Sequence, residues 1–90
     1  MREFEYLPAF SKDIKRIAFQ GRDIMKLFPP LLLLLNGQAL PPKYKDHILR
    51  GKWSGHREFH VEPDWLVIYM VENKTVLVLV RTGTHTELFD

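Results

Sequence analysis

Trp65-Leu-Val-Ile-Tyr-Met-Val71 and, past the Glu72-Asn-Lys turn signal, Val76-Leu-Val-Leu-Val80 are apolar at every position. Runs this short and this rich in β-branched residues read as strands. With no polar face to offer water, they belong in the middle of a sheet, with helices covering one side. Immediately upstream, His56-Arg-Glu-Phe-His-Val-Glu62 alternates instead. Side chains of a strand point to opposite faces in turn, so Phe59 and Val61 take the core side and His56, Glu58, His60 and Glu62 share the other. Strands are expected at about 48–50, 55–62, 65–72 and 75–82, separated by Gly, Pro-Asp and Glu-Asn turn signals.

The N-terminal half has a different period. Arg2 to Tyr6 alternates as a short strand. Pro8 suits a first helical turn, Phe10, Ile14 and Ile17 recur at helical spacing, and Gly21 ends a helix predicted over 8–20. Asp23 is a cap for a second helix whose stripe runs through Ile24, Leu27, Phe28, Leu31, Leu34 and Leu35 to Asn36-Gly37. Pro29 and Pro30 contradict that helix, because an interior proline removes a donor and clashes with the preceding turn. A break near Phe28 is predicted, with Pro30 restarting the helix. Leu32 and Leu33 fall off the stripe and are either core under a loop or a patch for a partner. Two N-terminal helices followed by short strands make one α+β domain, residues 1–90, with the helices packed on a mainly antiparallel sheet of four to five strands.

The chain has 90 residues, no cysteine and a net charge of +2. That excludes disulfides, thiolate metal sites and thiol nucleophiles, and fits a reducing compartment. No apolar signal core or membrane-length run is present, so a cytoplasmic protein without membrane partners is expected. The charge is uneven. Lys43, Lys45, Arg50, Lys52 and Arg57 face only Asp46 and Glu58 across a segment that also carries three of the four histidines. Such a surplus favours a polyanion, or is a solvated basic loop.

Neighbouring strands can gather His60, Asp64, Arg81 and His85 at one end of the sheet. That set meets the needs of RNA cleavage by the substrate's own 2′-hydroxyl. A base takes the hydroxyl proton, an acid protonates the departing 5′-oxygen, and a cation stabilises the phosphorane. Histidine suits both proton roles, arginine matches phosphate oxygens, and Asp64 can orient a histidine. Each residue also has a plain alternative: a solvated strand face for His56, an ion pair for Arg81, a turn for Asp64, core for Trp65. A metal site on His56, Glu58, His60 and Glu62 is not expected, since residues two apart on a strand are about 6–7 Å apart and a compact site needs ligands from elsewhere.

The blocks Tyr44-Lys-Asp-His47, His60-Val-Glu-Pro-Asp-Trp65 with Ile68-Tyr69, and Arg81-Thr-Gly-Thr-His85 with Leu88-Phe89 occur in order. With weaker likeness in the helices, they resemble the YafQ branch of the RelE-like toxin family over essentially the whole chain. The resemblance implies an mRNA interferase of a toxin–antitoxin pair with a compact microbial-ribonuclease-like fold. Its implied partners are a cognate antitoxin, the ribosome and messenger RNA cut in the ribosomal A site. Cleavage would use no cofactor and leave a 2′,3′-cyclic or 3′-phosphate and a 5′-hydroxyl.

By motif, His47, His60, Asp64, Arg81 and His85 match the family's active-site positions. Phe89 matches an aromatic that stacks on a base, and Trp65 falls in the motif with a structural role equally open. Lys43, Lys45, Arg50, Lys52 and Arg57 are the expected RNA-holding cations. The chain departs from the family at Pro29-Pro30 and at Phe59, beside His60, where a small residue is common. The division of base and acid among the histidines stays open. A non-catalytic RNA- or ribosome-binding module on the same basic surface is the alternative function, and a bare interaction protein a further one.

Overall fold

The two apolar runs form β4 (Trp65–Glu72) and β5 (Val76–Gly83), the inner strands of a computed structural model that describes residues 1–89. The remaining elements are β1 (Glu3–Tyr6), α1 (Pro8–Phe19), α2 (Phe28–Leu35), β2 (His47–Ile48), β3 (Arg57–Glu62) and α3 (His85–Phe89). Three 3₁₀ turns, Ile24–Leu27, Pro42–Tyr44 and Gly51–Trp53, join them. The five strands are ordered β1-β5-β4-β3-β2. β2, β3, β4 and β5 pair antiparallel, while β1 runs parallel to β5, Glu3 opposite Val76 and Tyr6 opposite Leu79. The α+β expectation of helices on a mainly antiparallel sheet holds.

Both faces of the central strands are covered, but unequally. On one face Phe10 and Ile17 of α1 and Leu27 and Leu34 pack on Phe59, Trp65, Val67, Tyr69, Leu77 and Leu79. Ile17, Phe59 and Trp65 are wholly buried, and each such side chain contributes about 1.5–3 kcal/mol of burial. On the other face a smaller cluster of Leu66, Ile68, Val78, Val80 and Leu88 is closed by Leu49, Trp53 and Phe89. That lid comes from the 49–53 segment and α3.

α1 stops where Gly21 takes φ +85° and its N–H turns back to the Ala18 carbonyl. The Asp23 side chain accepts from the Met25 N–H at 3.1 Å, as a cap should, but for a 3₁₀ turn. The predicted break falls at Phe28. The helix resumes there rather than at Pro30, so both prolines lie in the first turn of α2, where no intrahelical donor is lost. Asn36 and Gly37 close α2, with the Gln38 N–H on the Leu33 carbonyl at 2.9 Å. Leu32 is 51% exposed, which removes it from the core under a loop, while Leu33 is half-buried. Among the described residues no helix is long and apolar enough to cross a membrane.

Candidate active site

Strand register builds the site. His47, Glu58, Ile68 and Arg81 stand opposite one another across β2, β3, β4 and β5, and His60, Leu66 and Gly83 form the next row. Directly opposed residues on antiparallel strands share a face. His47, Glu58 and His60 therefore project on the side of Leu66 and Ile68, away from α1 and α2.

Glu58 sits between the histidines. It is 4% exposed, with Oε1 3.1 Å from His47 Nε2 and 3.7 Å from His60 Nε2. Its Oε2 is buried without a hydrogen-bond partner. The other nitrogen of each ring also meets an oxygen: His47 Nδ1 lies 2.7 Å from the Lys45 carbonyl and His60 Nδ1 3.3 Å from that of Pro63. Lys45 aims its carbonyl from a left-handed conformation, φ +51°, uncommon for a side chain of its size.

His85 arrives from the far end of the sheet as the first residue of α3. Asp64 Oδ1 accepts from both its backbone N–H, at 3.0 Å, and its Nδ1, at 2.8 Å. Those two bonds hold the Asp64 carboxyl below its ordinary value. α3 starts from Thr84-His-Thr-Glu87, which carries the signal of a capping box. Thr84 Oγ1 accepts from the Glu87 N–H, and Glu87 Oε1 accepts from the Thr84 N–H. The rings then run in a row. Centroids lie 6.3 Å apart from His47 to His60, 5.8 Å from His60 to His85, 6.2 Å from His85 to Phe89 and 6.3 Å from Phe89 to Trp53.

Arg81 reaches this end of the sheet with a partner the sequence did not announce. Its Nε and Nη2 donate to the two carboxylate oxygens of Asp13 on α1, at 2.7 and 3.1 Å. Among the described residues its Nη1 makes no hydrogen bond to protein.

The expected cations divide. Lys43 borders two hollows that share His60 and Val61, one of about 280 Å³ with Lys26 and one of about 140 Å³ with Glu62, and Lys45 joins it at the smaller. Arg50 and Lys52 are exposed on the 49–53 segment. Arg57 is not brought to the site. Alternation puts it on the face of Phe59, where it lies 3.3 Å from both oxygens of Asp46, which also accepts the Tyr69 hydroxyl at 2.6 Å. Trp65 is withdrawn from RNA contact by complete burial, its Nε1–H donating to Thr82 Oγ1 at 2.9 Å.

Two members of the alternating strand also leave its face. A bulge between His60 and Glu62 turns Glu62 towards Arg22 and Lys26, at 2.9 and 2.8 Å. His56, 5.4 Å from the Trp53 ring and 3.2 Å from its carbonyl, braces the 49–53 segment.

Glu58 is the member that sequence reasoning left out. The alternating strand offers it only as a member of a metal site that strand spacing disfavours, and its register with His47 is what marks it. With Glu58 and His60 on β3 and His85 brought in from α3, ligand atoms of all three lie within 4.8 Å of one another. That spacing can hold a divalent cation, and it is reached through a ligand from another element, as strand geometry demanded.

Residues 2–90 match the family model described as the bacterial toxin of type II toxin–antitoxin systems, YafQ. The chain is 46% identical over 89 residues to the mRNA interferase toxin YafQ of Escherichia coli strain K12, covering 98% of this chain and 96% of that one. It superposes on the YafQ of the E. coli DinJ–YafQ complex with a TM-score of 0.91 at 44% identity, over the full length of both chains. A metal-bound toxin from Helicobacter pylori superposes equally, TM-score 0.91 at 40% identity, over 99% of this chain and 100% of that one. Motif, fold and site agree, and the chain belongs to the YafQ family of bacterial toxins of type II toxin–antitoxin systems.

Proposed function

We propose that this protein is an endoribonuclease that cuts messenger RNA on the ribosome, by attack of the substrate's own 2′-hydroxyl and with no metal in the chemistry. The observation that carries the reading is the pair of histidines 5.8 Å apart, His85 hydrogen-bonded to Asp64 and His60 3.7 Å from the Glu58 carboxylate that it shares with His47. Two rings at that separation reach the two sides of one phosphodiester. The curated E. coli relative, named as an mRNA interferase, supports the same reaction class.

The two carboxylates assign the protons differently. Asp64 holds a proton on His85 Nδ1, which leaves the Nε2 lone pair free as the base. His60, on the other side of the gap and beside the Glu58 carboxylate, takes the proton-giving role. In the step, His85 Nε2 takes the 2′-hydroxyl proton as that oxygen bonds to phosphorus. The bond to the 5′-oxygen breaks, and His60 gives that oxygen its proton. The products are a 2′,3′-cyclic phosphate and a 5′-hydroxyl. Arg81 faces the charge that builds on the phosphorane, and such charge-directed donors are worth about 2.7–4 kcal/mol in comparable sites. Lys43, Lys45 and Lys26 line the path of the flanking phosphates, and Phe89 offers a base its ring.

A metal ion at Glu58, His60 and His85 would compete for the ring nitrogens this mechanism uses, the base on His85 and the proton-bearing nitrogen of His60. The H. pylori toxin crystallised with metal bound makes the competition worth measuring. Zinc or copper is expected to inhibit, and a chelator selective for transition metals, added at fixed magnesium so that ribosomes stay whole, to leave cleavage intact.

The partner expected is a cognate antitoxin, as DinJ is for the E. coli protein. A segment that folds on binding needs apolar surface to bury. Phe4, Tyr6 and Phe28 rim a hollow of about 280 Å³ floored by Phe10, Ile14, Leu27 and Leu31.

Primer extension on a messenger RNA incubated with ribosomes and purified protein tests the reading, beside a His60→Ala, His85→Ala control. Discrete cuts that need the ribosome and vanish in the control are expected. A folded protein that binds ribosomes and leaves RNA whole would replace it with the non-catalytic binder.

A further inference from the structure

We infer that α1 is the positioning element of this site: Asp13 fixes the guanidinium of Arg81, and Arg16 braces Glu87 and with it the helix that carries His85. The inference rests on the proposed role of Arg81 and His85.

Asp13 is 2% exposed, and each of its oxygens accepts two hydrogen bonds. Oδ2 takes Arg81 Nε at 2.7 Å and the Thr82 N–H at 3.0 Å. Oδ1 takes Arg16 Nη1 at 2.7 Å and Arg81 Nη2 at 3.1 Å. A plain structural need explains part of this. β1 ends at Tyr6, opposite Leu79, so the next stretch of β5 has an open edge. Asp13 covers the N–H of Thr82 there, and Arg16 Nη2 covers its carbonyl at 2.9 Å. Closing an edge needs one acceptor. Asp13 presents a second oxygen and accepts two nitrogens from one fork, which fixes the plane of Arg81 as well as its place.

The second arm leaves Arg16 for α3. Its Nη2 lies 3.3 Å from Glu87 Oε1, and its Nε 3.0 Å from Glu87 Oε2 as an ion pair lacking hydrogen-bond alignment. Gln20, one turn further along α1, donates to Oε2 at 3.2 Å. Glu87 is the return half of the capping box that starts α3, two residues after His85. The chain makes room for this approach. A Cβ on Gly83 would stand 2.6 Å from Arg16 Nη2 and 2.7 Å from Glu87 Oε1. The same α1 side chains thus reach the phosphorane's cation and the base-bearing helix.

Ribosome-dependent cleavage and thermal melts on Asp13→Asn, Arg81→Ala and the double variant decide the Asp13 arm. Asp13→Asn is expected to lower kcat at least about tenfold with KM little changed, and to cost nothing further once Arg81 is alanine. Asp13→Glu, which keeps the charge, should recover part of the loss and stands in if the Asn variant does not fold. A loss that multiplies that of Arg81→Ala, or that tracks only the unfolded fraction, would leave Asp13 an edge cap and overturn the arm. Full cleavage by Arg81→Ala itself would instead remove Arg81 from the proposed function.

The Arg16 arm is read by NMR of the His85 ring in folded Gly83→Ala, which displaces the Arg16–Glu87 pair. A shifted His85 signal with cleavage reduced several-fold supports it. An unmoved ring with full cleavage ends it.

Discussion

The two faces of the sheet use the same strands for different ends. Towards α1 and α2, Phe59, Trp65, Val67, Tyr69, Leu77 and Leu79 meet Phe10, Ile17, Leu27 and Leu34 in one closed cluster. On the reverse, five buried apolar residues share the surface with His47, Glu58 and His60. The first face has helices for a lid, so its alternating positions can all be apolar. The second has only the 49–53 segment and the five-residue α3, and the uncovered end is where polar groups can be held against water and substrate. Adjacent residues of β3 show the division at its narrowest, since Phe59 is wholly buried under the helices and His60 stands beside Glu58 and His85 on the other side.

If the faces are separable, single changes should split activity from stability. The largest split is expected at the histidines. His60→Ala or His85→Ala should lower cleavage by roughly 10²–10⁴-fold with the thermal midpoint nearly unmoved, and the pair together should lose little more than one alone. Cleavage that survives either change would break the site as drawn. Phe59→Ala, one residue from His60, should do the reverse and cost about 3–5 kcal/mol. In denaturant titrations its activity should follow the folded fraction.

Much of this was legible, and the exceptions have physical reasons. β4 and β5 were readable because a strand buried on both faces has no choice of pattern. The helix ends announced themselves through Gly21 and Asn36-Gly37, where the backbone takes φ values of +85° and +73° at glycine. The parallel pairing of β1 with β5 joins Glu3 to Val76, and no local signal records a contact that distant. Glu58 and Asp13 were missed for a common reason: an acid in a strand or helix looks solvated until register or packing buries it. Glu62 and Arg57 were misplaced in opposite ways. A bulge that alternation cannot foresee took Glu62 off the histidine face. Alternation itself put Arg57 on the other one, and a count of charges along the chain overlooked it.

Smaller effects sharpen the comparison. Trp65→Phe keeps the apolar body and loses the bond to Thr82, so a cost of about 0.5–1.5 kcal/mol is expected, with RNA affinity unaltered. A fall in affinity without a fall in stability would return Trp65 to the RNA surface. Asp13 gives the helix face a pH dependence of definite sign. Burial pushes its carboxyl up, but the hydrogen bonds from Arg81, the Thr82 N–H and Arg16 outweigh that and hold it below its ordinary value. A group with a depressed folded pKa stabilises fully above its unfolded value of about 3.9 and loses that stabilisation as pH falls through the folded one. Asp13→Asn should therefore flatten the fall in denaturation midpoint measured below about pH 4. An equally steep fall in the variant would shift the acid sensitivity to other carboxylates.

The weakest effect bears on where RNA stops. Lys43 and Lys45 border hollows beside His60, while Arg57 lines neither of them and is held in its ion pair with Asp46. Each phosphate contact adds roughly 0.7–0.9 to the slope of log affinity against log salt, because that many bound counterions are released. Lys43→Ala with Lys45→Ala should reduce the slope for a single-stranded oligonucleotide by about 1.5. Arg57→Ala should leave it where it was. The three changes are all cation to alanine within fifteen residues of chain, so net charge and local composition predict the same loss per cation. Only their tertiary placement separates them. An equal loss per cation would mean that RNA also reaches the Asp46–Arg57 pair, beyond the hollows, and the separation drawn between these cations would end there.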